Sequence, residues 1–466
     1  MKKLKKAVSL TMAGLLAAGL LGGCGGGQQT SASGSAGTDT TAAETKGAGE
    51  TAATGETTAA AAPEGDVAGK EIKIWISSGA EDDIYREMFR EIEGGLGLTV
   101  KDEYYSKDEL DSKMQVSGIA GDMPDVIVAD YLLLPNYVDA EMIAPIDQYL
   151  PADIKSDMLP SVVDEATYNG NMYAVAQFDG GLAMWANKSM LDAAGVTDIP
   201  TSYKDAWTKE EFEDVLAKLK ASGVEYPLYV RQNNPSTMYY TYFPIIKSFG
   251  GDYAHRDTLL TEGALNGEGT KNALEYLKWM IDQGYVNATC DYDDAFETRQ
   301  ESAIALLGHW KYTAYAAGIG EDNIVCIPIP DFGGGVYTCS GSTVWAMTTG
   351  AVDNDNAAAA WAVMEQVMEP DYIKKVVEVN AAIPSRKSVL DSSPDYQEGG
   401  KFYLYREQLE GGISYLRPFT SAHMTIYAQM KSVYGDIFAG ADPSASLDSA
   451  AEAIDEIIVE NGWDVK

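Results

Sequence analysis

The stretch SGIAGDMPDVIVADYLLLPNYVDAEMIAPIDQYLP, residues 117–151, decides the fold. Its centre, PDVIVAD (124–130), is a continuous apolar run of the kind that forms a strand buried in a parallel sheet. Two strands and two helices are predicted upstream: EIKIWIS (71–77), a helix over 82–93, LTVKDEYY (98–105) and a helix over 107–122. The order is therefore βαβαβ, which predicts an α/β fold with a parallel sheet.

Ligand candidates follow from this order of elements. Open α/β sheets bind ligands at the carboxyl ends of their strands, where the connecting loops leave a crevice. Side chains at or just past the ends of the first and third predicted strands are therefore candidates on geometry alone. These are Trp75, Ser77, Ser78, Asp130 and Tyr131.

The length of the chain predicts its number of domains, and its net charge excludes some classes of partner. The chain has 466 residues, is 45% hydrophobic and shows no internal repeat, and a folded part of about 400 residues predicts two domains. Its net charge of −36 argues against nucleic acid or an anionic membrane surface as a partner. Cys290, Cys326 and Cys339 have no metal-like spacing, and a Cys326–Cys339 disulfide remains an open possibility.

The N-terminus predicts export and a lipid anchor. Four lysines precede the apolar run 7–21, which is shorter than the roughly 20 residues of a membrane span and is typical of a secretory signal. The following LGGC (21–24) resembles the lipobox of bacterial lipoproteins, in which the cysteine receives two acyl chains such as palmitate. We therefore predict a signal peptide over 1–23, lipidation of Cys24 and a disordered Gly/Ser/Thr/Ala linker over 24–69.

Several blocks along the folded part carry a family resemblance. They are 117–151, quoted above, YNGNMYAVAQFDGGLAMWANKSMLDAAGV (168–196), TSYKDAWTKEEFEDVLAKLK (201–220), RQESAIALLGHW (299–310), TGAVDNDNAAAAWAVMEQVM (349–368) and NAAIPSRKSVL (380–390). In this order they resemble the family-1 extracellular solute-binding proteins of bacterial ABC sugar importers.

The resemblance implies a two-lobed fold of the type II periplasmic-binding-protein class, each lobe a mixed sheet flanked by helices. It implies three crossovers between the lobes, near 176–180, 330–335 and 382–385. The expected N-terminal lobe comprises 70–177 and 336–384, and the expected C-terminal lobe comprises 178–335 and 385–466. It also implies a monomer outside the cytoplasm that delivers a small molecule to ABC permease subunits and uses no cofactor or metal.

Aromatic composition favours a carbohydrate ligand. The chain has 28 Tyr and 8 Trp against 10 Phe, and rings with a polar edge stack on sugar faces while bonding hydroxyls. The resemblance places an aromatic platform at Trp310, with Trp75 and Trp345 as weaker candidates. The other predicted ligand contacts are Ser78, Asp130, Tyr131, Asp179, Tyr240 and Arg417, with Arg231 and Tyr239 as looser candidates.

These patterns predict a lipoprotein that captures a neutral oligosaccharide in an interlobe cleft. No catalytic residues are expected, because the chain has three histidines and none of the common zinc-protease, serine-hydrolase or P-loop motifs. Two alternatives stay open. One is another small polar or cationic solute, such as a polyamine. The other is a secreted glycosidase, which needs only two carboxylates, or a carbohydrate adhesin.

Overall fold

The computed structural model describes residues 67–463. The predicted signal peptide (1–23), the lipidation site Cys24 and most of the predicted linker (24–69) lie outside the described residues. No helix in the described part of the chain is both long and apolar enough to cross a membrane. Helices and strands alternate through this part, so the predicted α/β class is confirmed.

A five-stranded sheet forms the centre of the first lobe. Its strands are β1 (Glu71–Ser77), β2 (Thr99–Tyr105), β3 (Val126–Asp130), β6 (Ala174–Val175) and β13 (Thr343–Met347), in the order β2-β1-β3-β13-β6. Strand β1 runs parallel to β2 and β3, which confirms the predicted βαβαβ unit. Strand β13 returns late in the sequence and pairs antiparallel to β3 and β6.

A four-stranded sheet forms the centre of the second lobe. Its strands are β8 (Leu182–Asn187), β9 (Leu228–Tyr229), β10 (Ile304–Gly308) and β11 (Ile324–Ile327), in the order β11-β8-β10-β9. Strands β8 and β10 are buried along their whole length, as expected for a sheet covered by helices on both faces.

Three short strand pairs form separate two-stranded sheets. They are β4 (Thr167–Tyr168) with β5 (Asn171–Met172), β7 (Phe178–Asp179) with β14 (Ile383–Pro384), and β12 (Thr338–Cys339) with β15 (Ser414–Tyr415). The pair β7–β14 lies where the chain passes between the sheets, in the predicted crossover regions near 176–180 and 382–385.

The middle crossover lies later than the predicted 330–335. Gly334 donates to the Ser248 carbonyl at 2.8 Å, and Ser248 Oγ donates to the Gly335 carbonyl at 2.7 Å. These bonds and the pairing of β12 with β15 hold the chain in the second lobe as far as β12. The crossing therefore falls at 340–342, just before β13, rather than at the predicted lobe boundary at 336.

Eighteen α-helices surround the two sheets. They are α1 (Asp82–Leu96), α2 (Lys107–Ala120), α3 (Leu134–Asp139), α4 (Ala152–Asp157), α5 (Pro160–Ala166), α6 (Lys188–Ala193), α7 (Lys209–Ala221), α8 (Pro235–Thr241), α9 (Phe243–Ser248), α10 (Glu268–Asp282), α11 (Tyr312–Ile319), α12 (Thr349–Asp353), α13 (Ala357–Val367), α14 (Pro370–Asn380), α15 (Lys387–Ser392), α16 (Tyr403–Glu410), α17 (His423–Phe438) and α18 (Pro443–Asn461). That number refers to residues 67–463 only. Helix α2 illustrates how local sequence sets a helix start. Ser106 and Glu109 form a capping box there, which satisfies otherwise free backbone N–H groups.

The first-lobe core contains one tryptophan that we expected near the ligand. Trp345 in β13 is fully buried, with its ring 5.3 Å from that of Tyr85 and 6.0 Å from that of Phe89, both on α1. It is a core residue, so its assignment to the ligand site is corrected. The thiols of Cys290, Cys326 and Cys339 are free, so Cys326 and Cys339 do not pair.

Candidate functional site

Asp130 ends β3 at the carboxyl edge of the first sheet. Its Oδ1 accepts from the Leu132 N–H at 3.0 Å, and its Oδ2 accepts from Lys107 Nζ at 2.6 Å. Burial raises the pKa of Asp130, but the positive charges of Lys107 and Arg417 outweigh burial and hold the pKa well below its usual value. Asp130 is therefore an anchored carboxylate at the interface between the lobes.

Arg417 approaches Asp130 from the second lobe. It follows β15, its side chain is 4% exposed, and its Nη2 lies 3.9 Å from Asp130 Oδ2. The guanidinium lies against the rings of Tyr131, Tyr239 and Tyr240, at 5.8, 5.2 and 4.7 Å from their centroids. Such contacts stabilise a desolvated cation. The predicted residues Asp130, Tyr131, Tyr240 and Arg417 are thus brought together.

Trp310 lies beside this group, just past the end of β10. Its indole is partly exposed, and its centroid lies 5.9 Å from that of Tyr240 with a 33° tilt. A Cβ atom at Gly308 would lie 1.9 Å from the indole. Glycine at this position therefore lets the indole lie directly against the strand end. The arrangement offers aromatic surface next to charged and hydrogen-bonding groups.

Two fully buried carboxyl groups lie at the crossovers. Asp179 in β7 accepts from Ser161 Oγ at 2.6 Å and from the Gly341 N–H at 3.4 Å. Glu165 in α5 accepts from the backbone N–H of Ser342 at 3.0 Å and from its hydroxyl. Both acids therefore hold the 340–342 crossover through hydrogen bonds.

Burial raises the pKa of both acids, to about 6 for Asp179 and well above the usual value for Glu165, whose pKa the charges of Asp179 and Asp130 raise further. Two such groups in one buried site cannot both ionise at low cost, so the pair retains a proton. The crossover itself is tight, since a Cβ atom at Gly180 would lie 2.2 Å from the Gly341 carbonyl oxygen.

A second set of contacts joins the lobes near Trp310. His309 Nδ1 donates to the carbonyl of Asn380 at 2.6 Å, and burial lowers the pKa of His309 to about 4, so the ring is neutral near pH 7. Glu81, which lies in the loop after β1, is 8% exposed, and burial raises its pKa to about 7 although a backbone hydrogen bond opposes this shift. These contacts belong to an arrangement in which the lobes touch.

Two other sequence candidates lie away from this group. Trp75 is 3% exposed and packs under α2, with its ring 6.1 Å from that of Tyr105 and 3.9 Å from Lys113 Nζ. Its neighbours on the strand, Ile74 and Ile76, point to the opposite face. Ser78 is exposed at the edge of the first sheet and donates its hydroxyl to Asp82. We therefore remove Trp75 and Ser78 from the interlobe set.

Sequence reasoning missed several residues of the interface. They are Glu81, Lys107, Glu165, His309 and His423. His423, at the start of α17, is fully buried, and its Nδ1 lies 3.4 Å from the Tyr239 hydroxyl. Glu81 was open to detection, because it lies in the loop after the first strand, at the same edge of the sheet as Asp130. The others come from helices and loops whose meeting depends on the tertiary fold.

The carboxyl pair predicts how stability depends on pH. Because the pKa of Asp179 is higher in the folded protein than in the unfolded chain, its contribution is full below about pH 4 and is lost as the pH rises through about 6. Asp179→Asn cannot ionise, and its Oδ1 can still accept from the Gly341 N–H while its Nδ2 can donate to Ser161 Oγ. We expect the free energy of unfolding to fall less between pH 5 and 8 in the variant, by on the order of 2 kcal/mol.

Denaturant unfolding at both pH values measures this difference, with Asp322→Asn, at an exposed carboxylate, as the control. Parallel pH profiles for the wild type and Asp179→Asn would contradict the shared-proton assignment.

The comparisons with known proteins agree with this geometry. A sequence profile for bacterial extracellular solute-binding proteins matches residues 87–403, which is more than half of the chain. The chain belongs to this family. The predicted family resemblance is thereby confirmed, and this solute-binding protein works outside the cytoplasm, as its family does.

Two relatives and one solved structure are similar to this solute-binding protein. An ABC transporter extracellular-binding protein of Pyrococcus horikoshii is 24% identical over 314 residues, which are 62% of this chain and 66% of the relative. The diacetylchitobiose binding protein of Streptomyces coelicolor is 22% identical over 335 residues, 69% of this chain and 75% of the relative. The GacH receptor of Streptomyces glaucescens, solved unliganded and with acarbose, superposes with a TM-score of 0.70 at 20% identity. That superposition covers 83% of this chain and 97% of the receptor chain and confirms the two-lobed fold.

Proposed function

We propose that this solute-binding protein captures an oligosaccharide between its lobes and delivers it to an ABC permease. The observation that carries the proposal is the partly exposed Trp310 next to Tyr240, bordered by Asp130 and Arg417. An indole stacks on the apolar face of a pyranose, and the neighbouring polar groups bond its hydroxyls. The named ligands of the relatives, diacetylchitobiose and acarbose, support the same ligand class.

Capture follows from the placement of these groups on both lobes. Asp130 ends a strand of the first sheet and Tyr131 follows it, whereas Tyr240, Trp310 and Arg417 belong to the second lobe. A ligand that contacts both sets binds the closed arrangement better than an open one. It therefore shifts the population toward closure by that difference in affinity. The ligand is released unchanged, because capture and delivery require no chemical step.

A thermal-shift screen tests the ligand class. The chain is heated with members of a panel of mono- and oligosaccharides and, separately, with polyamines. A ligand at 100 times its Kd adds about 2.7 kcal/mol to the free energy of unfolding, which is a readily measured rise in Tm. We expect an oligosaccharide to give the largest rise. A rise in Tm with spermidine and with no sugar would contradict the carbohydrate proposal and favour a cationic solute as the ligand.

We also propose that lipidation at Cys24 holds the protein at the outer surface of the cell membrane. Two acyl chains give stable anchoring, since each buried methylene contributes about 0.8 kcal/mol. Cys24→Ser should move the protein from the detergent phase to the aqueous phase and leave ligand affinity unchanged. Ser33→Ala in the same segment is the control and should stay in the detergent phase. Full partitioning of Cys24→Ser with membranes would refute the anchor.

A further inference from the structure

The guanidinium of Arg417 has fewer partners than its burial requires. The side chain is 4% exposed, and its buried Nε has no hydrogen-bond partner among residues 67–463. Its ion-pair contact within those residues, 3.9 Å from Nη2 to Asp130 Oδ2, is too long for a hydrogen bond. A buried cation with an unbonded N–H costs free energy until an acceptor joins it.

The hydrogen bonds of the neighbouring acids go to groups other than Arg417, and Glu165 Oε1 has no partner among residues 67–463. Asp130 uses one oxygen for Lys107 and the other for the Leu132 N–H, so Lys107 and Arg417 bring two positive charges to one carboxylate. The Glu165–Asp179 pair is bonded to the 340–342 crossover and to Ser161. Burial raises the pKa of both of these acids, so the pair keeps one proton, and its remaining charge lies on groups bonded to the crossover and to Ser161 rather than to Arg417.

The tyrosine rings around Arg417 contact its guanidinium through cation–π interactions rather than through hydrogen bonds. The rings of Tyr131, Tyr239 and Tyr240 attract the guanidinium, but the hydroxyls of Tyr239 and Tyr240 pair with His423 and the Cys339 carbonyl instead. The centroid of Trp310 lies 5.9 Å from that of Tyr240, so Tyr240 contacts both the guanidinium of Arg417 and the proposed sugar platform. No acceptor in the described part of the chain therefore lies within hydrogen-bond distance of the Arg417 guanidinium.

We infer that the captured carbohydrate carries a carboxylate, as a uronic acid unit does, and that Arg417 binds this carboxylate. The inference rests on the proposed function and replaces the neutral ligand expected from composition. A carboxylate offers two acceptor oxygens that match the guanidinium fork. A neutral hydroxyl would bond the guanidinium but would leave Asp130, which also pairs with Lys107, as its ion-pair partner in a closed, desolvated interface.

The overall charge of −36 does not oppose this assignment. Exposed charges more than about 8 Å from the site are largely screened at physiological ionic strength, whereas a buried pair is screened much less. The ligand's charge is therefore decided by the groups that touch it. Among those groups, Asp130 is the carboxylate within ion-pair distance of both Lys107 and Arg417.

Matched pairs of oligosaccharides test the inference by calorimetric titration. Tri-galacturonate, tri-mannuronate and tri-glucuronate are each compared with their methyl esters, which keep the skeleton and remove the charge. We expect at least one acid to bind ten-fold or more tightly than its ester. If no acid is favoured while an ester or another neutral oligosaccharide binds, this inference fails and the proposed function stands. If no carbohydrate binds at all, both fail.

Variants assign the acid preference to Arg417. Arg417→Gln should reduce affinity for the preferred acid about 10- to 100-fold, the factor that a charged hydrogen bond represents, and should leave affinity for the ester nearly unchanged. Arg417→Lys keeps the charge but not the fork, so an intermediate loss is expected and the site remains testable if the Gln variant fails to fold. Arg406→Gln, at an arginine already paired with Asp391 and Glu410, is the control and should keep the preference. An acid preference that survives in Arg417→Gln would overturn the assignment.

Discussion

Trp310→Ala should abolish most carbohydrate binding while the protein remains folded. The expected loss is about 2–4 kcal/mol of binding free energy, or some 30- to 1000-fold in affinity, as for a binding hot spot. The reason is the position of the indole: it is partly exposed, and it packs against Tyr240 and His309 rather than inside the sheet. Truncation therefore removes stacking surface without opening a sealed cavity.

Two measurements on this variant separate a ligand contact from a structural role. Calorimetric titration with the best sugar of the thermal-shift screen gives the affinity, and denaturant unfolding without ligand gives the stability. We expect the free energy of unfolding to fall by no more than about 1.5 kcal/mol, within the range of ordinary substitutions. Near-normal affinity together with a large drop in the unfolding midpoint would reject Trp310 as the platform.

Trp345→Ala should give the opposite result. Trp345 is fully buried in β13, with Tyr85 and Phe89 against its ring. Removing a buried indole leaves a cavity as well as lost apolar contact, and the expected cost is about 3–5 kcal/mol of stability. Ligand affinity of the fraction that remains folded should change little, because the ring does not border the interlobe group.

Unfolding in denaturant tests Trp345→Ala, and Trp345→Phe is its matched variant. Phenylalanine refills part of the cavity, so it should recover part of the lost stability. A Trp345→Ala protein with normal stability and reduced affinity would return Trp345 to the ligand site and would contradict its placement in the core.

The strands and helices of the βαβαβ unit in the first lobe are predictable from local sequence patterns. Strands such as β1 and β3 and the helices between them follow directly from alternating or continuous apolar runs and from helical spacing. Asp130 and Tyr131 were found for the same reason, because the carboxyl edge of a parallel sheet is fixed once its strands are known. The second lobe and the crossovers came from family resemblance rather than from periodicity.

What the sequence did not settle depends on which face a residue occupies and on contacts distant in the chain. Trp75 follows the rule for strand ends, but the pleat of β1 turns it toward α2. Trp345 and Trp310 each occupy a strand or its end, yet only the packing of α1 against β13 makes the first a core residue. Lys107 and Glu165 are separated by long stretches of chain from the groups they contact, so no local signal identifies them.

The central claim is that ligand joins the two lobes, and small-angle X-ray scattering tests it most directly. The full chain carrying Cys24→Ser is measured alone and with saturating amounts of the sugar that gives the largest thermal shift. Trp310→Ala at the same sugar concentration serves as the control for compaction unrelated to binding. A smaller radius of gyration for the chain with sugar, and no change for Trp310→Ala, is the result that a ligand-closed clamp predicts. An unchanged radius of gyration at saturation, with binding verified by calorimetry in the same sample, would contradict it.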